Sequence, residues 1–77
     1  MSVVISKTLD LKGFACPIPI ARTAGAMKEM TPGEIMEVLA TDPGSVPDFT
    51  AWSKATGNEL IEHTVVDGVY RFVLRKR

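Results

Sequence analysis

The sequence contains few of the residues that build metal centres or redox pairs, and its charges cancel. Its 77 residues include 1 cysteine and 1 histidine, so neither a disulfide nor a Cys-x-x-Cys redox cycle can form within the chain. Lys and Arg number 9, as do Asp and Glu, and the formal net charge is zero. A chain without an overall positive field is not drawn to nucleic acid or to anionic lipid, and we expect neither as a direct partner.

The sequence also lacks a long apolar run near its start. Residues 1–11 alternate in character, which is typical neither of a secretory signal nor of a membrane span. We therefore expect a cytoplasmic protein, in a compartment that keeps a lone thiol reduced. A chain of this length is expected to form one domain, residues 1–77, which buries about 60% of the surface that it exposes when unfolded. Such a domain has room for a core but not for a deep, enclosed active site.

Hydrophobic periodicity and turn residues predict the element order βαβαββ. This order is typical of a two-layer α/β sandwich, in which a mixed four-stranded sheet has both helices on one face. Asp67-Gly68 is the strongest hairpin signal in the chain, and Gly57 is a typical helix stop. The predicted strands span residues 3–9, 34–41, 58–66 and 69–75, and the predicted helices span residues 17–30 and 46–56.

The predicted core comes from apolar residues that share one side of an element. Spacings of three and four residues place them on one stripe of a helix, and alternate residues share one face of a strand. They are Ile20, Ala24 and Met27 in the first helix, Phe49 and Trp52 in the second, and Tyr70, Phe72 and Leu74 in the last strand.

The only cysteine directly precedes the first predicted helix and its two prolines. Proline is favoured in the first helical turn, so we predict Cys16 as the N-cap, Pro17 as N1 and Pro19 as N3. Of the first N–H groups, only those of Cys16 and Ile18 then remain to face an anion. The partial positive charge of a helix start favours a thiolate, which predicts a lowered pKa for Cys16. The alternative is a buried cysteine that packs as a small apolar residue.

Two basic residues are candidates for holding an anionic sulfur. Lys12 lies four residues before Cys16, in the same loop. Arg22 lies in the second turn of the helix, where it either reaches the same surface or stays solvated. Asp10 would oppose an anion unless loop N–H groups occupy its carboxylate, and we expect that structural role.

Asp42 is the acidic residue with the clearest functional placement. It ends the second strand, and strand ends and helix starts meet at one edge of an α/β layer. It therefore either neighbours Cys16, where it orients a donor or takes part in proton transfer, or it bonds its own turn before Pro43. Asp48 follows Ser45 by three residues, and this spacing predicts a variant of the capping box for the second helix.

These residues together resemble a known family. The matching positions are Asp10, Gly13, the Cys-Pro-x-Pro motif at 16–19, Pro32-Gly33-Glu34, Asp42-Pro43, Asp48, Trp52 and Gly57. This pattern resembles the TusA/SirA/YedF family of small sulfur-carrier proteins, over nearly the whole chain. The family often has basic residues at positions 24 and 25 and a polar residue at position 15, where this chain has Ala24, Gly25 and Ala15. That difference concerns the docking partner rather than the cysteine.

The resemblance implies a sulfurtransferase-type relay protein with the same βαβαββ fold. Cys16 would accept a sulfane sulfur from a donor protein, such as a cysteine desulfurase or a rhodanese, hold it as a persulfide and pass it to an acceptor relay protein. The pathways implied are tRNA thiolation, sulfur oxidation and cofactor assembly. No cofactor or metal is implied beyond the covalent sulfur, and the supporting residues would be Pro17, Ile18, Pro19, Asp42, Lys12 and Arg22.

The alternative function is a non-catalytic regulatory or protein-interaction module in which Cys16 is structural. The two functions predict different alkylation behaviour. The carrier predicts a lowered pKa for Cys16, whereas the module predicts a thiol with an ordinary pKa near 8.5 or an inert one.

Overall fold

The structure is a computed structural model that describes residues 4–77. Its elements are β1 (Lys7–Leu11), α1 (Ile18–Met27), β2 (Ile35–Ala40), α2 (Ser45–Thr56), β3 (Glu59–Val66) and β4 (Val69–Arg75). The four strands form one sheet in the order β1-β2-β4-β3. β1 and β2 are parallel, whereas β4 is antiparallel to both β2 and β3. The predicted βαβαββ order and mixed sheet are confirmed.

The core lies between the helices and one face of the sheet. Along β2, Met36, Val38 and Ala40 are buried and alternate with half-buried residues, so one face of this central strand is fully covered. Phe72 on β4 stacks against Phe49 on α2, with ring centroids 4.4 Å apart. Both helices therefore cover the same face of the sheet, as the sequence predicts.

β1 begins later than its predicted span. Its observed bounds are Lys7–Leu11 instead of 3–9, and Val3 lies outside the described residues. β1 pairs with β2 from Lys7 opposite Met36 to Leu11 opposite Ala40. A residue belongs to the strand only where it pairs with a neighbouring strand. The limits of β1 therefore depend on where it lies beside β2. The apolar alternation alone could not locate these limits.

α1 is shorter than predicted and turns a different stripe toward the sheet. It spans Ile18–Met27 instead of 17–30, and its buried residues are Pro19, Thr23 and Met27. Ile20 and Ala24 are only half-buried, so the predicted stripe is correct at Met27 and one residue out of phase before it. Rotation of a helix about its own axis decides which line of side chains faces the sheet. Contacts with the rest of the protein set that rotation, so the sequence pattern of one helix does not determine it.

Of three predictions from local turn residues, two are confirmed and one is wrong. α2 ends at Gly57, which has a left-handed φ of 80°. Asp67 and Gly68 join β3 to β4 with φ values of 51° and 78°, as a type I′ hairpin turn requires. The predicted capping box is absent, because the N-cap of α2 is Gly44 and no side chain caps this helix.

The open face of the sheet is held by ion pairs. Glu37 on β2 pairs with Arg71 on β4 and accepts a hydrogen bond from the Thr8 hydroxyl on β1 at 3.1 Å. Arg71 also lies 3.5 Å from Glu62 on β3. These contacts join all four strands, and the Arg71 guanidinium holds the pKa of Glu37 below its usual range. No helix in the described part of the chain is long and apolar enough to cross a membrane.

Candidate functional site

The loop between β1 and α1 places Cys16 at the edge of the sheet. β1 and β2 are parallel, so the loops that follow them leave the sheet side by side. The Gly13 N–H donates to the Thr41 hydroxyl at 2.9 Å, and the Cys16 N–H donates to Asp42 Oδ2 at 2.8 Å. Gly13 has φ 88°, a conformation that favours glycine. These bonds hold the loop against the turn after β2, with the Cys16 side chain exposed to solvent.

Asp42 makes both of the contacts that the sequence left open, one within its own turn and one with Cys16. Its Oδ1 accepts a hydrogen bond from the Gly44 N–H at 3.3 Å, which closes the turn before α2. Its Oδ2 accepts the Cys16 N–H, so this carboxylate is also a neighbour of the cysteine. Asp42 therefore positions Cys16 through the backbone. A part in orienting a donor or in proton transfer stays a prediction.

The start of α1 differs from the prediction by one residue. The N-cap is Pro17 instead of Cys16, the helix begins at Ile18, and Pro19 occupies the second helical position. Neither the Cys16 N–H nor the Ile18 N–H is free to face an anionic sulfur, because the first donates to the Asp42 carboxylate and the second donates to the Ala15 carbonyl oxygen at 3.0 Å. The predicted pair of free donors behind the sulfur is therefore wrong.

Asp48 is the side chain that touches the reactive atom. The Cys16 thiol donates to Asp48 Oδ2, and the Sγ to Oδ2 distance is 2.6 Å. This hydrogen bond raises the pKa of Cys16, and desolvation and the negative charges of Asp48 and Asp42 raise it further. The predicted lowering of the pKa is therefore wrong. A full carboxylate charge in contact with the sulfur outweighs the partial charge of a helix start.

Lys12 and Arg22 do not contact the sulfur. The Lys12 ammonium lies 3.8 Å from Asp10 Oδ2, and the Lys12 N–H donates to Asp10 Oδ1 at 3.2 Å. A loop N–H group thus occupies the Asp10 carboxylate, which is the structural role that we expected of this residue. The Arg22 guanidinium lies 5.2 Å from the centre of the Phe14 ring, in a cation–π contact. Participation of Lys12 or Arg22 in chemistry at Cys16 remains a prediction.

Exposed apolar residues flank Cys16 in the chain, and two carboxylates contact this residue. Phe14, two residues before Cys16, is 37% exposed, and Ile18, two residues after it, is 41% exposed. The two carboxylates are Asp42, at the backbone N–H, and Asp48, at the thiol. The alternative of a cysteine buried as an apolar residue is wrong, because Cys16 is exposed.

Sequence reasoning missed Asp48 as a site residue. Its spacing from Ser45 pointed to helix capping, yet Asp48 bonds Cys16 and leaves Gly44 as the cap. One signal could have found it. Both helices follow parallel strands, so both begin at the same edge of the sheet, and a carboxylate in the first turn of α2 then faces the start of α1.

Comparisons with known proteins agree on one family. The family model described as "Sulfurtransferase TusA" matches residues 7–76. The putative sulfur carrier protein YrkI of Bacillus subtilis is 50% identical over 70 residues, which cover 91% of this chain and 93% of the relative. The sulfur carrier protein TusA of Allochromatium vinosum is 46% identical over 68 residues, which cover 88% of this chain and 90% of the relative. The crystal structure of a SirA-like protein from Desulfitobacterium hafniense superposes with a TM-score of 0.80 at 27% identity, covering 90% of this chain and 95% of that protein.

Proposed function

Because this chain belongs to the TusA family of sulfur carrier proteins, we propose that it carries a sulfane sulfur as a persulfide on Cys16. The observation that supports the proposal is the exposure of the chain's only cysteine at the edge of the sheet. A sulfur atom in that position is accessible to another protein without passing through a pocket. With no second cysteine, a sulfur accepted by Cys16 must leave on another molecule.

The transfer step is an exchange between two sulfur–sulfur bonds. The Cys16 sulfur attacks the outer sulfur of a donor persulfide, R–S–SH, and a new S–S bond forms. The donor S–S bond breaks, and its electron pair stays on the inner sulfur of the donor. That sulfur takes up a proton in place of the one that Cys16 releases, so the net change is Cys16–SH plus R–S–SH to Cys16–S–SH plus R–SH. No external oxidant or reductant is needed, and delivery to an acceptor thiol repeats the step in the other direction.

The proposed partners are proteins at both ends of this exchange. The donor is a protein persulfide of the kind formed on a cysteine desulfurase or a rhodanese, and the acceptor is a further relay protein. Pro17 stiffens the end of the loop and Pro19 stiffens the first turn of α1, so little conformational entropy is lost when a partner docks there. The proposed location is the cytoplasm. The pathway is one of those that the family resemblance implies: tRNA thiolation, sulfur oxidation or cofactor assembly.

One observation favours a second candidate, a regulatory or interaction module with a structural cysteine. The Cys16 thiol bonds Asp48 and thereby joins the loop before α1 to the first turn of α2. A structural thiol would make such a contact. The raised pKa also agrees with the slow alkylation expected of a module.

Sulfur loading separates the two candidates. The protein is incubated with a cysteine desulfurase and cysteine, or with a rhodanese and thiosulfate, and its intact mass is measured. We expect the wild type to gain one sulfur atom, which a reducing agent removes, and Cys16→Ser to gain none. Alkylation of the same wild-type preparation by iodoacetamide verifies that the thiol was free. A wild type that gains no sulfur from either donor, although its thiol is free, would favour the module.

A further inference from the structure

The charges around Cys16 oppose the form of sulfur that reacts. Thiol–disulfide exchange proceeds through a thiolate. Asp48 Oδ2 contacts the sulfur at 2.6 Å, and Asp42 Oδ2 lies 2.8 Å from the nitrogen of the same residue. Both carboxylates favour the neutral thiol. In the free protein, these two contacts therefore favour the less reactive form of Cys16.

The described residues contain no cation that offsets these two carboxylates. The ion pairs among residues 4–77 use Asp10, Glu37, Glu59 and Glu62, and they include neither Asp42 nor Asp48. The nearest basic residues in the sequence are already engaged, Lys12 with Asp10 and Arg22 with the Phe14 ring. The described residues therefore place no ion-pair partner at the carboxylate that contacts the sulfur, and a docked protein can supply one.

We propose that the protein that exchanges sulfur with Cys16 presents a lysine or arginine to Asp48, and that this ion pair releases the Cys16 sulfur for attack. The inference rests on the proposed function and adds the chemistry of the partner. Charge complementarity identifies the partner's surface as basic opposite Asp48. The exposed side chains of Phe14 and Ile18, each two residues from Cys16 in the chain, offer the partner an apolar contact in addition. Exchange is thereby restricted to docked partners, and the free carrier is protected from stray electrophiles.

The first experiment measures alkylation of Cys16 by iodoacetamide at neutral pH, in the intact chain. Asp48→Asn removes the negative charge at the sulfur, and we expect alkylation to become severalfold faster than in the wild type. Asp67→Asn is the matched control. It removes the same charge from the hairpin turn, where Asn is also tolerated at a positive φ, and it should leave the rate unchanged. Thermal melts of both variants verify that they are folded.

The second experiment uses a charged probe in place of the partner, first on the wild type and then on both variants. Cystamine, a disulfide with two ammonium groups, is compared with the neutral 2-hydroxyethyl disulfide. Each rate of mixed-disulfide formation is divided by the rate of the same reagent with the chain unfolded in urea, which removes the intrinsic difference between the reagents. We expect the folded wild type to prefer cystamine by about two- to fivefold, the range of an exposed ion pair. The preference should shrink in Asp48→Asn and persist in Asp67→Asn.

Two outcomes would overturn the inference. One is an Asp48→Asn variant that alkylates no faster than the wild type, and the other is a folded wild type without preference for cystamine. Neither measurement uses a sulfur donor. If these two measurements fail, the inference about the partner falls but the proposed function does not. Only the loading experiment decides whether Cys16 carries sulfur.

Discussion

Removal of the Asp42 side chain tests whether this residue positions the cysteine. In Asp42→Ala, the Cys16 N–H loses its acceptor at 2.8 Å and the Gly44 N–H loses its acceptor at 3.3 Å. The first bond joins residues 26 positions apart in sequence, whereas the second closes a local turn. We therefore expect lower stability together with a loosened Cys16 loop.

The size of the effect follows from the two bonds. A hydrogen bond to a charged acceptor contributes ~1.5–3 kcal/mol, and the long, local bond to Gly44 lies near or below the ~0.5 kcal/mol end of the neutral range. Asp42 is half-buried, so we take the low end of each and expect a loss of about 2 kcal/mol. Unfolding entropy of about 2.1 cal/mol/K per residue then predicts a fall in Tm of roughly 12 °C. Since a domain of this size has a total stability of about 4–12 kcal/mol, the variant should remain folded.

The assay combines stability with the local state of the loop. Urea unfolding is followed by the fluorescence of Trp52, which is half-buried and packs edge to face on Phe49 with ring centroids 6.3 Å apart. Hydrogen exchange of the Cys16 amide reports the loop, and we expect protection in the wild type and its loss in the variant. Asp10→Ala is the control, because the Asp10 carboxylate bonds Lys12, two residues further along, and both residues are exposed. This substitution should lower the free energy of unfolding by less than about 0.5 kcal/mol. If Asp42→Ala matched this control and kept the amide protected, the positioning role would be refuted.

Three further substitutions test the sheet and the helices. Glu37→Gln should cost about 1 kcal/mol at pH 7. Because Arg71 lowers the pKa of Glu37, this contribution is complete above the unfolded value near ~4.3 and is lost as the pH falls through the lowered folded value. Urea curves of wild type and variant should converge once the pH has fallen below the lowered folded pKa of Glu37, and a difference independent of pH would contradict the ion pair. Gly57→Ala should cost ~1 kcal/mol, since Gly57 has φ 80° and a Cβ there would lie 2.8 Å from Arg77 Cδ. Gly25→Ala should instead stabilise by up to ~1 kcal/mol, because Gly25 is helical and a Cβ there meets no atom within 4 Å. Thermal melts that show the same sign for both alanine variants would contradict this contrast.

The raised pKa of Cys16 changes how the carrier is expected to work. A lowered pKa would describe a carrier that is activated by its own helix. The contact with Asp48 instead favours the neutral thiol, and under the proposal above a partner's cation reverses that preference. Folding raises the pKa of Cys16, so the contact with Asp48 stabilises the folded state while the thiol is neutral. That contribution is complete below the pKa of the thiol in the unfolded chain and is lost as the pH rises through the raised pKa of the folded protein.

Local patterns in the sequence were sufficient for the element order, the hairpin and the end of α2. The turn at Asp67-Gly68 and the stop at Gly57 depend on the backbone preferences of single residues, which are visible in any sequence. The position of Cys16 at the start of α1, one residue from the predicted cap, followed from the prolines beside it. Each of these features is decided within a few residues of chain.

The tertiary structure alone decided which atoms surround the sulfur. Asp48 and Cys16 are 32 residues apart, and only the parallel pairing of β1 with β2 places their elements at the same edge. That pairing also set the limits of β1, and packing on the sheet set the buried stripe of α1. The sign of the pKa shift depends on the distance between a sulfur and a carboxylate, and such a distance between remote residues is not contained in any local pattern.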